Sequence, residues 1–351
     1  MDKRGGEKMK QNNAKIKCIF LVIAIGFILF LTMITSHFYQ QVLKESEIWS
    51  ATKGEKKAHY VMILDDENSI FWDSVYESAK KEAENENIIL ELSKNSSTIS
   101  FAIKERMQMS IAAKVDGIIL EYNDQEGLDE EIQIAKQNQI PVVTISNDAS
   151  RQGSISFIGV SDYQLGKKYG EQIIKLLKPD MKKIMIIDRE SEKGVGTETI
   201  YNQINNMVHK VSTTENSITL ERKHILSNKE FDAEEAIWSI FQNKEELPDI
   251  LVCLNEMDTE CAYQALINYN LVGQVSIIGY YYTDIVLNGL IEGIIPVTVE
   301  LDTEQIGQYA IQALTKYLDN HHVDCFYSVD LNMIDQKKAE EMREYEEEKV
   351  L

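Results

Sequence analysis

Val115-Asp116-Gly117-Ile118-Ile119-Leu120 and Ile140-Pro141-Val142-Val143-Thr144-Ile145 decide how this chain folds. Each is a short apolar run rich in Ile and Val. Runs of this length and composition fit strands of a parallel sheet whose two faces are both covered. Between them lies a longer amphipathic stretch, 128–138. Strand, helix and strand in that order make a βα unit.

The rhythm continues in both directions. A first series of strands is predicted at 60–64, 88–92, 117–120, 142–145 and 156–158, and a second at 184–187, 217–222, 250–254, 276–279 and 297–299. Helices fall between them at 71–85, 99–113, 128–138, 164–177, 199–211, 233–242, 259–270, 282–292 and 303–318. In the first helix Trp72, Val75, Tyr76 and Ala79 share one apolar stripe. Two series of strands are too many for one small sheet. They predict an α/β fold of two doubly wound parallel-sheet lobes with a hinge. In such sheets ligands bind beyond the C-terminal ends of the strands, so the facing ends line a cleft.

The chain is 44% hydrophobic and 26% charged, a globular balance. Lys and Arg number 36 against 57 Asp and Glu, a formal charge of -21. That surface repels phosphate backbones and argues against a nucleic-acid partner. The basic residues Lys3, Arg4, Lys8, Lys10, Lys15 and Lys17 crowd into segment 1–17. The uncharged run at 18–36 would span roughly 28 Å as a helix, the thickness of a bilayer core. The expectation is a transmembrane helix or uncleaved signal anchor in the cell membrane, with a cytoplasmic N-terminus and an extracytoplasmic C-terminal domain. A cleaved secretory signal is the alternative, although no A-x-A site follows the run. No cysteine follows it to carry a lipid either. Residues 37–57 read as a stalk, 58–334 as the two-lobed domain and 335–351 as an acidic tail, either a solvated helix or a frayed end.

No C-x-x-C, G-x-S-x-G, H-E-x-x-H or phosphate-binding G-x-x-x-x-G-K-S/T occurs. An enzyme, a metal and a cofactor are therefore not expected. A disulfide among Cys253, Cys261 and Cys325 stays open, since no spacing argues for one.

Taken in order, four segments make the region from about 59 to 332 resemble the type I periplasmic sugar-binding family, the ribose- and galactose-binding proteins, whose core recurs in lac-repressor-type regulators. Asn68-Ser69-Ile70-Phe71-Trp72 looks like the family's N-x-P-F-F/W loop. Val115 to Leu120 and Ile140 to Ile145 look like its V-D-G-I-I and I-P-V-V strands. Phe157-Ile158-Gly159-Val160-Ser161-Asp162-Tyr163, reaching Gly166, is similar to its crossover segment. Leu254-Asn255-Glu256 with Ile277-Ile278-Gly279-Tyr280 looks like its N-D…V-G-F run.

The resemblance implies three chain crossings, with one lobe at about 58–160 and 301–325 and the other at about 161–300 and 326–334. It also implies a ligand site. Phe71 and Trp72 fall where aromatic rings stack on a sugar, Phe71 in a loop and Trp72 either there or on the core face of its helix. Asn68, Asn147, Asp148 and Asn255 fall where polar groups meet its hydroxyls, Asn255 being the best single match. Asn255 also suits a helix N-cap. Tyr281 stands where the family has an Asp, and Glu300 where it has a Gln. Two family arginines have no counterpart. The cleft is thereby more negative and more aromatic, with Tyr280 and Tyr282 added, which suits a hydrophobic or cationic solute or a cleft that has lost its ligand.

The function implied is a membrane-tethered solute-binding protein that closes on a small molecule, a carbohydrate or related solute, for an ABC-type transporter. A subunit signalling to a membrane sensor histidine kinase is the alternative. The apolar run makes the first prediction. The protein is expected to fractionate with membranes and keep its N-terminus, and an N-terminal sequence beginning near residue 37 would show cleavage instead.

Overall fold

In the computed structural model the chain builds two six-stranded sheets. The structure describes residues 57–65, 69–93, 101–123, 125–189, 195–212, 217–225, 230–243 and 247–350. The apolar run at 18–36 and Asn68 lie outside these residues. Among the described residues no helix is long and apolar enough to cross a membrane.

The first sheet is formed by β1 (His59–Ile63), β2 (Ile89–Ser93), β3 (Gly117–Glu121), β4 (Val142–Ile145), β5 (Ser156–Gly159) and β11 (Phe326–Ser328), in the order β11-β5-β4-β3-β1-β2. The second is formed by β6 (Lys183–Arg189), β7 (Thr219–Ile225), β8 (Ile250–Cys253), β9 (Ser276–Tyr280), β10 (Val297–Leu301) and β12 (Leu331–Asp335), in the order β12-β10-β9-β8-β6-β7. The two orders correspond strand for strand. All pairings are parallel except β10 with β12. The central strands are apolar because helices cover both faces: β4 and β8 are buried throughout and β3 at every residue but Glu121.

The helices are α1 (Ile70–Asn85), α2 (Ile103–Ala112), α3 (Leu128–Gln137), α4 (Asp162–Leu176), α5 (Val195–Val211), α6 (Glu230–Gln242), α7 (Glu256–Asn268), α8 (Asp284–Ile291), α9 (Thr303–Asn320) and α10 (Gln336–Val350). In the first lobe α1 and α9 pack together on one face of the sheet, and in the second α4 and α5 do the same. Val75 and Ile311 from the first lobe belong to the same continuous apolar cluster as Ile184 and Ile204 from the second.

Three points depart from the expected layout. The last crossing falls after Phe326, not before it, because β11 pairs with β5: Phe326 lies opposite Phe157 and Ser328 opposite Gly159. The first lobe thus extends to Ser328, and β12 opens the return to the second. The segment from 335 is not a tail, because α10 packs on α8 and β12 and buries Ala339 completely. Phe71 is not in a loop. It sits in the first turn of α1, which Ser69 caps by accepting a hydrogen bond from the Trp72 amide. Cys253 and Cys325 are free thiols, the first buried and the second exposed, and Cys261 is buried.

The α1–α9 contact depends on a missing side chain. A Cβ at Gly307 would stand 2.5 Å from the Ala79 amide nitrogen and 2.6 Å from the Val75 carbonyl oxygen. Backbone cannot retreat as a side chain can. Gly307→Ala should therefore destabilise the first lobe by about 1–2 kcal/mol, despite alanine's better helix propensity. Urea denaturation followed by circular dichroism measures this, and an unchanged or raised midpoint would contradict the packing described.

Candidate functional site

The C-terminal ends of the strands in both sheets bring the site together, as the parallel topology requires. From the first lobe come Asp65 after β1, Glu121 at the end of β3 and Asn123 just beyond it. They form a hydrogen-bonded set. The Asp65 amide donates to Glu121 Oε2 at 2.7 Å, and Asn123 Nδ2 and Gln125 Nε2 donate to Asp65 Oδ2 at 2.7 and 3.0 Å. Carboxylates and amides arranged this way offer the acceptors and donors that hydroxyl groups need. None of these residues was singled out from the sequence. Their position directly after apolar strands was the available signal.

Across the mouth stand Tyr280, Tyr281 and Tyr282, which follow one another at the end of β9. Phe71 meets them from α1. Its ring centroid lies 4.9 Å from that of Tyr281 in an edge-to-face arrangement, 6.2 Å from that of Tyr280 and 4.7 Å from that of Trp72. Tyr281 stacks on Tyr282 at 4.8 Å. Polar contacts run beside the rings. Ser69 Oγ donates to Glu256 Oε2 at 2.9 Å, and the Tyr281 and Ser74 hydroxyls stand 3.4 Å apart. The contacts of Phe71 with Tyr280 and Tyr281 and both of these polar contacts join the first lobe to the second.

Tyr281 holds an unusual backbone. Its φ is 59°, a left-handed conformation that costs a bulky residue energy. Two neighbours on β10 impose it: the Tyr281 amide donates to the Val299 carbonyl at 2.5 Å, and Thr298 Oγ1 donates to the Tyr281 carbonyl at 2.6 Å. Ser146, at the corresponding end of β4, also has positive φ, 76°. Both lobes therefore turn sharply where their central strands reach the cleft. The Tyr280 hydroxyl is pushed well above its ordinary range, first by desolvation and then by the negative charges of Glu256 and Glu121. Tyr281 is raised by burial too, with the Ser74 hydrogen bond opposing. Both phenols stay protonated near neutrality and can donate.

Phe71, Trp72 and Tyr281 are thus brought together. The other expected site residues have local partners. Asn255 caps α7: its Oδ1 accepts from the Asp258 amide at 2.8 Å and its Nδ2 donates to Asp258 Oδ2 at 2.7 Å. Asn147 Nδ2 donates to the Tyr122 carbonyl, and Asp148 accepts from the amide and hydroxyl of Ser150. Glu300 lies 3.5 Å from Lys338 Nζ on α10. Burial raises its carboxyl and Lys338 partly restores it.

The periplasmic binding protein domain model matches residues 60–322, well over half of the chain. The chain belongs to this family. Solved structures agree with the fold. The chain is similar to GanP, a glucose-galactose binding protein from Geobacillus stearothermophilus, with a TM-score of 0.71 and 19% identity over 81% of this chain and 99% of that one. It is similar to an ABC transporter periplasmic solute binding protein from Actinobacillus succinogenes with bound D-allose, with a TM-score of 0.68 and 17% identity over 81% and 100%. A chain of the XylFII-LytSN complex gives a TM-score of 0.66 and 19% identity over 81% of this chain and 100% of that one. No curated protein matches the sequence.

Asn255→Ala should lower the stability of the second lobe by about 1 kcal/mol, the usual cost of a lost N-cap. Asn255→Ser should restore most of it. A melting temperature unmoved by the alanine would show that the cap contributes nothing.

Proposed function

We propose that this protein is an extracytoplasmic solute-binding protein, tethered through 18–36, that closes its two lobes on a carbohydrate or related small molecule for an ABC-type transporter. The contact of Phe71 with Tyr280 and Tyr281 carries the reading. Residues from both lobes converge on one aromatic mouth, with the Asp65, Glu121 and Asn123 set beside it. Rings of this kind cover the C–H face of a sugar, while the polar set meets its hydroxyls. A buried hydroxyl left without a partner costs about 1–3 kcal/mol. GanP and the D-allose complex are named as binders of sugars, which supports the same class.

A second reading rests on two observations. The apolar run is followed by no lipid-attachment cysteine. One similar structure is a complex of XylFII with LytSN. On that reading the closed form signals to a membrane histidine kinase instead of feeding a permease.

The full chain should be titrated by calorimetry with a panel of pentoses, hexoses and inositols. At least one member is expected to bind saturably. The standard aldoses ribose and galactose are expected to bind poorly, because the chain lacks the two family arginines. Phe71→Ala, with its fold verified by circular dichroism, should weaken the binding by tenfold or more, about 1.4 kcal/mol. An inert panel, or unchanged affinity in Phe71→Ala, would count against the site.

A further inference from the structure

The mouth is closed by the protein's own side chains. Phe71 and Tyr281 are 5% and 4% exposed. A flat guest keeps its carbons about 3.5–4.0 Å from each ring that covers it, so two rings with a guest between them stand about 7–8 Å apart. The Phe71 centroid lies only 4.9 Å from that of Tyr281 and 6.2 Å from that of Tyr280. Each ring occupies the place a guest would take against the other.

Two hydrogen bonds fasten the same turn of α1 to the second lobe. Ser69 makes the first. Its oxygen accepts from the Trp72 amide at 3.3 Å, while its one proton goes to Glu256 Oε2 at 2.9 Å. A single hydroxyl thus caps a helix of the first lobe and bonds to the second. Glu256 is the first residue of α7, so its carboxylate stands at the N-terminal ends of two helices, where negative charge is favoured. Ser74 makes the second. Its proton goes to the Ile70 carbonyl at 2.9 Å, so across the 3.4 Å to Tyr281 it is the phenol that donates. Phe71 and Ser74 are three residues apart on one helix face, and ring and hydroxyl meet the second lobe together.

We propose that the first turn of α1 is an autoinhibitory plug: Ser69 and Ser74 latch it to Glu256 and Tyr281, Phe71 fills the mouth, and the protein without solute rests closed. The inference rests on the reading of the mouth as a solute site. A guest seated between Phe71 and Tyr281 has to part the rings by about 2–3 Å, which carries a bond as short as that of Ser69 to Glu256 beyond hydrogen-bonding range. Latch and guest are therefore alternatives. Solute enters from a minor open form, and its apparent affinity is reduced by the fraction of molecules that are open. Weakening the latch should then tighten binding, the opposite of what happens on losing a residue that holds the solute.

The test uses the full chain in mild detergent and the double variant Ser69→Gly/Ser74→Ala. Glycine keeps most of the capping contribution while removing the hydroxyl, and every group of the second lobe stays in place. Cys18 and the exposed Cys325 are replaced by Ser, and nitroxide labels are attached through Glu126→Cys on the first lobe and Asp284→Cys on the second, both exposed positions. Double electron–electron resonance then reads the distance between lobes with no solute added. The parent should show one short distance, and the double variant should add a longer population or move to it entirely. Ser74→Ala alone, which leaves the cap intact, should move part of the way and serves where the double variant melts early. A parent already at the longer distance, or variants that keep the parent's distribution, would overturn the proposal. This arm is independent of whether the mouth takes a sugar. The second arm is calorimetry with the panel of pentoses, hexoses and inositols. The double variant should bind about fivefold or more tighter than the parent, in step with its larger open fraction. Equal or weaker binding would overturn the autoinhibition. A panel inert toward both proteins would count against the mouth as a sugar site, with the label distances still deciding the latch.

Discussion

Everything this molecule can do with its mouth is constrained by three short crossings that hydrogen bonds lace together. The chain passes between lobes after Gly159, at Asp302 and at Val329-Asp330. The Asp302 amide donates to the Asp330 carbonyl at 3.1 Å, and the Val329 amide donates to the Gly159 carbonyl at 3.0 Å. Gln305 closes the set, donating to Asp330 Oδ2 at 2.8 Å and accepting from the Asp330 amide at 2.9 Å. Each crossing thus bonds to another. A single linker would allow free rotation, whereas three bonded ones confine the lobes to a hinge motion. The strand ends can then meet only along one line.

Two of the residues with left-handed backbone, Tyr281 and Ser146, stand along that line. A left-handed tyrosine would be replaced by glycine if only local energy counted. Tyr281 persists because β10 fixes its amide and carbonyl while its ring fills the space between Phe71 and Tyr282. The strain is offset by packing that a glycine would forfeit. Such outliers gather where structure over-determines a functional position. The parallel turn at Ser146 shows that the first lobe makes the same bend with a small residue and no ring. Three of the five rings at the mouth, Tyr280, Tyr281 and Tyr282, come from the second lobe, and the hydrogen-bonded acid–amide set comes from the first.

The central strands could be read directly from the chain, because burial on both faces leaves an unbroken apolar run. All ten strands expected at 60–299 are present, with ends displaced by a few residues. Two of the four edge strands were not legible. Phe326–Ser328 is three residues long and largely exposed, and Leu331–Asp335 is only half-buried, so neither carries an apolar run. Missing them put the last crossing too early. A helix was one of the two readings of the segment from 335; its packing was not legible, because its sequence is acidic and Ala339 and Met342 are the apolar residues it sets into the second core. At the site, the aromatic members were reached through resemblance, because Asn68-Ser69-Ile70-Phe71-Trp72 and Gly279-Tyr280-Tyr281 fall on the family's motifs. The acid–amide set was not, since it exists only when the ends of β1 and β3 are adjacent, and sequence spacing of some 56 residues conceals that. Asn255 illustrates an ambiguity of the opposite kind. A strand-end asparagine suits both a ligand contact and an N-cap, and only coordinates show both ends of its amide engaged by Asp258.

The same contacts that mark the mouth also set a condition on any solute. Phe71, Tyr280 and Tyr281 already satisfy one another across the cleft, so a guest has to replace ring-to-ring contact with something better. Edge-to-face pairs contribute about 0.5–1.5 kcal/mol each beyond area burial. A solute that only displaces them gains little. One that slides between Phe71 and the tyrosines, keeping a ring on each face and drawing hydroxyls toward Asp65 and Asn123, retains the apolar contact and adds polar bonds. The geometry therefore favours flat-faced, hydroxyl-edged molecules over compact polar ones. It also makes closure without a guest inexpensive, and that is the property that would separate a constitutive signalling conformation from a transport cycle, in which the empty protein must stay open.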